Sequence, residues 1–118
     1  MPGRVIVSGV IPLTPRMLGN VEDAVFALPN VDIFTPDLVV PALGTIVVEF
    51  LPSSIGTLSL KLVRNAATNI GALNLGVTLA ISQWNSFSFP VQAGDEVNLR
   101  YSVGVTATAA IFWDGRIQ

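Results

Sequence analysis

Chemistry at neutral pH needs side chains that ionise or attack, and this chain of 118 residues supplies few of them. It has eight carboxylates (Glu22, Asp23, Asp32, Asp37, Glu49, Asp95, Glu96 and Asp114), six basic residues, no histidine and no cysteine. Without histidine the commonest general base and transition-metal ligand is missing, and Ser–His and Cys–His nucleophiles are excluded. Without cysteine there is no disulfide, no thiolate and no cysteine-ligated zinc or iron–sulfur centre. Glycoside hydrolysis would need two carboxylates facing each other across a cleft, roughly 5 to 9.5 Å apart. A hydrolase would use Asp95 or Glu96, yet these follow Ala93-Gly94, the composition of a turn that enters a strand. Asp32 and Asp37 lack the dense D-x-D spacing of a calcium loop. No catalytic residue, cofactor or metal is expected.

Binding chemistry has better material. Gln83-Trp84-Asn85-Ser86-Phe87-Ser88-Phe89 sets an indole and two phenyl rings among amides and hydroxyls, and exposed rings are flat apolar platforms for a sugar or a protein. Strand alternation puts Phe87, Phe89 and Val91 on one face, the ordinary pattern of a core. Trp84, at a loop-to-strand junction, is open to either reading. Tyr101 and Trp113 complete the set of candidate platforms, although Tyr101 falls on a core-facing position and Trp113 suits a core or subunit interface. The basic residues Arg4, Arg16, Lys61, Arg64, Arg100 and Arg116 are scattered singly, whereas a phosphate-binding surface needs a cluster. Nucleic acid is not an expected partner.

The elements that would position these groups are strands. Seven prolines beyond residue 10 and ten glycines leave few windows for a helix, the best being Pro15–Phe26. Period-two patterns are clear in Thr57–Arg64, with its leucines on one face, and in Glu96–Val103, with Val97, Leu99, Tyr101 and Val103 inward. Arg4–Ser8, Asp37–Val40, Thr45–Leu51, Leu75–Ser82, Ser86–Val91 and Thr106–Trp113 are rich in β-branched or aromatic residues and bounded by turn formers. Eight short strands predict an all-β antiparallel sandwich in a single domain, 1–118. Thr45–Leu51 and Thr106–Trp113 are apolar on both faces, which predicts that their second face is covered too. Residues 9–36, irregular, punctuated by prolines and apolar, are expected to form an arm along the sandwich or across a partner.

Composition points the same way. Apolar residues make up 51% and charged residues 12%, the latter about half the usual ~25%, so too little charge is available to cover a monomer's surface. Obligate interfaces, which resemble a core cut in half, account for such a balance. The amino terminus lacks the small-x-small pattern of a signal peptide. The longest apolar stretch, Leu38–Leu51, is interrupted by Pro41 and Glu49 and falls short of the ~18 residues of a membrane span. No membrane span or membrane partner is expected.

The run Phe87-Ser88-Phe89-Pro90-Val91-Gln92-Ala93-Gly94-Asp95-Glu96-Val97-Asn98-Leu99-Arg100-Tyr101-Ser102-Val103, followed by the apolar strand to Trp113, resembles the carboxy-terminal hairpin region of compact jelly-roll heads. Such heads occur in tumour-necrosis-factor-like trimers, phage fibre and capsid-decoration proteins, and some carbohydrate-binding modules. The resemblance covers about 30 residues and implies a jelly roll with its last strand near a trimer axis. On that footing the chain is expected to be a non-enzymatic structural protein of the virion, such as a capsid-decoration or fibre-head subunit. It would form a homotrimer and would bind other particle proteins to stabilise an assembled surface. Leu13, Met17, Leu18, Val25 and Phe26 of the arm, with Ile111 and Trp113, would carry the interface. The rival expectation is a carbohydrate-binding module that uses Trp84 and Tyr101.

Overall fold

The computed structural model describes residues 16–115. The expected strand Arg4–Ser8 and the interface candidate Leu13 lie outside the described residues. Eight strands follow in chain order: β1 (Arg16–Phe26), β2 (Leu38–Val39), β3 (Gly44–Pro52), β4 (Leu58–Arg64), β5 (Ala67–Ala72), β6 (Asn85–Val91), β7 (Glu96–Tyr101) and β8 (Val105–Asp114). They form two antiparallel four-stranded sheets, ordered β1-β8-β3-β6 and β2-β7-β4-β5. β1 pairs with β8, β2 with β7, β3 with β6 and β4 with β5. The chain is thus one long hairpin wrapped on itself and closed by the β3–β8 and β4–β7 ladders, which is a jelly roll.

Alternation builds the core. Ile46, Val48 and Phe50 of β3 and Ala107, Ala109 and Ile111 of β8 face Leu58, Leu60 and Leu62 of β4 and Val97, Leu99 and Tyr101 of β7. Small alanines on β8 leave room for larger side chains beside them, such as Phe50, the register partner of Ala109, whose ring lies 5.1 Å from that of Tyr101 in the facing sheet. The loops divide by end. Residues 27–37, 53–57, 73–84 and 102–104 gather at one end, while residues 40–43, 65–66 and 92–95 lie at the other, where β1 begins and β8 stops.

Two expectations need correction. Residues 16–26 are neither helix nor irregular arm: they form β1, an edge strand of the chain's own sandwich. Two breaks in register, at Met17/Gly19 and Val21/Ala24, explain the misreading, because each shifts the side chains to the opposite face and erases the period of two. Leu75–Ser82 is a loop, from which Leu79 alone enters the core. The strand is β5, whose six residues are exposed and which carries just one large apolar side chain, Ile70. β3 and β8, expected to be covered on both faces, are the two central strands of their sheet, and among the described residues no segment lies across its outer face. β1 and its loop complete the sheets at their edges instead.

Residues 27–37 do remain irregular, running along the open edge of β7. Asn30 N–H donates to Tyr101 O (2.7 Å) and Ile33 N–H to Leu99 O (3.0 Å), continuing the pairing that β2 completes. Asn98, wholly buried, anchors this segment. Its Oδ1 accepts from Phe34 N–H (2.8 Å), and its Nδ2 donates to Phe34 O and to Asp37 Oδ1, both at 2.6 Å.

Candidate functional site

The outer face of the β1-β8-β3-β6 sheet, across which no described segment lies, carries a groove of about 700 Å3. Sheet register assembles it from cross-strand rows: Met17 lies beside Phe112 and Phe112 beside Val47, while Asn20 lies beside Ala110 and Ala110 beside Glu49. Trp84 closes the row end just before β6, and Glu22 and Thr108 border it. The indole of Trp84 is 55% exposed. Ser86 Oγ donates to Glu49 Oε2 across the β3–β6 ladder and so fixes that carboxylate at the groove. The outcome is an apolar floor with an indole at one end and two carboxylates and an amide among its walls. Such a surface can receive a flat apolar or partly hydroxylated partner.

Trp84 is held there by its neighbour. Asn85 Oδ1 accepts from Ala80 N–H (3.0 Å), and its Nδ2 donates to the carbonyls of Phe50 (3.2 Å), Ala80 (3.0 Å) and Gln83 (3.0 Å). These bonds tie the end of the 73–84 loop to β3, so the indole beside it leaves the sheet edge at a fixed place.

The remaining candidates divide clearly. Met17 is half-exposed and lines the groove, and Val25 is exposed at the far end of β1. Leu18 and Phe26 pack against the core from β1. Two residues expected at an interface are used within the chain. Ile111 has no exposed surface and belongs to the core. Trp113 also packs on the core, its Nε1–H donating to Ala42 O (2.9 Å) and its ring lying 5.4 Å from the Arg16 guanidinium carbon. Tyr101 is not a platform: it is 2% exposed, and its hydroxyl donates to Ser54 O (2.6 Å). Burial raises its phenol pKa above the ordinary value, against the opposing effect of a backbone hydrogen bond at Gly56. Phe112, Glu22 and Glu49 were missed by sequence reasoning. For Glu49 and Phe112 the signal was the double-sided apolar pattern of the two central strands, which identified the face without its contents, whereas Glu22 lies on β1, whose broken period hid it.

The carboxylates elsewhere hold the fold. Arg64 meets Asp95 with two bonds, Nε to Oδ1 at 2.9 Å and Nη2 to Oδ2 at 2.6 Å. These bonds, with Gln92 N–H donating to Oδ2 (2.8 Å), hold the Asp95 carboxyl below its ordinary pKa against burial. Gly94, at φ 83°, supplies the left-handed turn that delivers Asp95 to this position. On the outer face of the other sheet, Asp32 lies between Arg100 (2.8 Å) and Lys61 (3.1 Å), and Lys61 also reaches Asp37 (3.2 Å). Burial alone would raise the Asp32 pKa, but hydrogen bonds from Arg100 and Lys61 outweigh it and lower the carboxyl. The hydrogen bond to Asp32 correspondingly raises Lys61. Asp95 and Glu96, adjacent in sequence, do not form a facing pair, since Asp95 is buried on Arg64 while Glu96 is exposed at the start of β7. Among the described residues no group of three or more histidine, cysteine or carboxylate side chains is placed to hold a metal.

No protein-family model matches the chain, and no curated protein matches it.

Proposed function

We propose that this is a non-enzymatic structural subunit of a viral particle, a capsid-decoration or fibre-head protein, which packs the outer face of its β1-β8-β3-β6 sheet against neighbouring subunits. The observation that carries the reading is the apolar floor, uncovered among the described residues, formed by Met17, Val47, Ala110 and Phe112 on the two central strands and their edge strand. An ordinary antiparallel sheet turns a polar face to water. This one presents a ring and a thioether there, in a chain with half the usual share of charge. The viral setting and the trimer rest on the resemblance of the 87–113 region and on the jelly-roll order that accompanies it.

The test is the absolute mass of the full chain by light scattering over a dilution series, with Phe112→Asp alongside. Wild type is expected at about three chain masses, and the variant, which places a charge in the apolar floor, at one. A wild-type mass of one chain at every concentration would overturn the assembly reading.

A carbohydrate-binding module is the second reading, favoured specifically by the exposed Trp84 beside Glu22, Glu49 and Asn20. A saturable shift of tryptophan fluorescence on titrating soluble glycans, absent in Trp84→Ala, would put it first.

A further inference from the structure

The outermost strand of a sheet has backbone donors and acceptors left open on one side, and proteins keep such edges from pairing with other chains by bulges, prolines, charges or brevity. Among the described residues the two sheets have four edge strands, and three are protected in these ways. β1 has two breaks in register and carries Glu22 and Asp23. β2 is two residues long, and β6 contains Pro90, which has no N–H. β5 has none of these protections. Its six residues, Ala67–Ala72, are exposed, uncharged and free of proline, and they pair with β4 at six consecutive positions without a break. Among the described residues β5 pairs with no strand but β4.

The ladder identifies which groups of β5 are open. Leu73 N–H donates to Leu58 O (2.8 Å), and the register continues from Ser59↔Ala72 to Arg64↔Ala67. In an antiparallel ladder successive residues turn their N–H and C=O alternately to one side and the other. Leu73, Gly71, Asn69 and Ala67 therefore bond towards β4, whereas Thr68, Ile70 and Ala72 turn their N–H and C=O groups outward. Side chains at this edge are small, apart from the half-exposed Ile70.

We propose that β5 pairs antiparallel with β5 of a second copy about a two-fold axis at Ile70, joining the two β2-β7-β4-β5 sheets into one continuous sheet. The open groups select this register. With Ile70 opposite Ile70 of the second copy, Thr68 falls opposite Ala72 and Ala72 opposite Thr68, and each of these pairs exchanges two hydrogen bonds, so that every outward N–H and C=O of both strands is satisfied. An axis at Asn69 or Gly71 would leave one of the three outward residues of each strand unpaired. The side chains agree with the backbone. Asn69 meets Gly71 of the second copy, Thr68 meets an alanine, and the two Ile70 side chains make an apolar contact on one face, with no charge set against another. The pairing is isologous and uses up this edge in both copies, so it closes at two instead of growing into a fibre. A contact of one strand pair is small beside a standard interface. It therefore forms in concentrated protein, and it adds to the sheet-face contact without depending on it.

Sedimentation velocity of the full chain from micromolar to millimolar concentration tests this. The mass is expected to double from its dilute value and to rise no further. Ile70→Pro removes an outward N–H that β4 does not use, and Ile70→Lys sets like charges face to face across the axis. Both should keep the circular dichroism of wild type and lose the doubling. Cross-linking checks the register, because the chain has no cysteine of its own. Asn69 and Gly71 of the second copy form a close, non-hydrogen-bonded pair within disulfide reach, and a Cβ at Gly71 meets nothing within 4 Å. Asn69→Cys and Gly71→Cys proteins, mixed and oxidised, should give a linked dimer that neither gives alone. A mass that stays constant, with no linked dimer, would overturn the proposal. So would doubling that persists in both Ile70 variants, or linkage as efficient within either cysteine variant alone. Amides of Thr68, Ile70 and Ala72 that exchange slowly at every dilution, without doubling of mass, would assign the edge to another segment of the same chain, such as residues 4–8, and overturn it as well. Phe112→Asp leaves β5 intact and should still double from its own dilute mass, so the two surfaces fail separately.

Discussion

Asp95 shows how this chain spends its few charges. It is buried, accepts two bonds from Arg64 and one from the Gln92 amide, and is thereby held ionised below the ordinary aspartate pKa. The sign of the consequence follows from linkage. On acidification the unfolded chain takes up its proton first, so stability is fully present above about pH 4 and is lost as pH falls through the lower folded value. Asp95→Ala should cost about 1–3 kcal/mol at pH 7, because the Gln92 amide and the guanidinium lose their acceptor. Urea midpoints measured from pH 7 to pH 2.5 should show a flatter acid limb in the variant. Equal limbs would mean that Asp95 does not contribute to acid sensitivity. The sequence identified Gly94-Asp95 as a turn, and it is one. It did not disclose the partner, because Arg64 is 31 residues away and only strand pairing brings it near.

What could be read of an element depended on the mark its packing had left on its residue types. β3, β4, β6, β7 and β8 all lie within two residues of their expected ends, β4 and β7 through alternation and β3, β6 and β8 through β-branched and aromatic residues bounded by turn formers. β1 was lost through its two bulges, and β5 because an edge strand exposed throughout has nothing to alternate. Candidate site residues followed the same logic. Met17 and Trp84, expected at an interface and as a platform, line the groove; Ile111, expected at an interface, lies in the core; and Tyr101, which alternation turned inward, is buried there and offers no platform. The β4–β5 hairpin offers a test of local chemistry. Its turn residues Asn65 and Ala66 have φ of 52° and 63°, the left-handed pair that two-residue hairpins favour and that suits Asn-Gly. Alanine is strained there, so Ala66→Gly should raise stability by about 0.5–1 kcal/mol in urea unfolding. A loss of stability would show that the gain in chain entropy of the unfolded state outweighs the relief of strain.

The wrapped hairpin sets how the parts depend on one another. Every ladder joins a strand of the first four to a strand of the last four: β1 and β3 to β8, β3 to β6, β2 and β4 to β7, and β4 to β5. Among the described residues neither half holds a strand pair of its own, and both sheets and the groove draw on both halves. Unpaired strands leave backbone donors and acceptors open and an apolar face without cover, and an isolated β-ribbon is marginal at best. Cutting the chain between Asn65 and Ala66 should therefore give two fragments, 1–65 and 66–118, that show no cooperative thermal transition alone. Mixed at equal concentration, they should recover the β-sheet circular dichroism of the intact protein, since the cut falls in an exposed turn that carries no core residue. A cooperative melt from either fragment alone would contradict the dependence of each half on the other. Loop closure before any ladder forms also makes such a topology slow, so refolding of the intact chain is expected in milliseconds to seconds rather than microseconds.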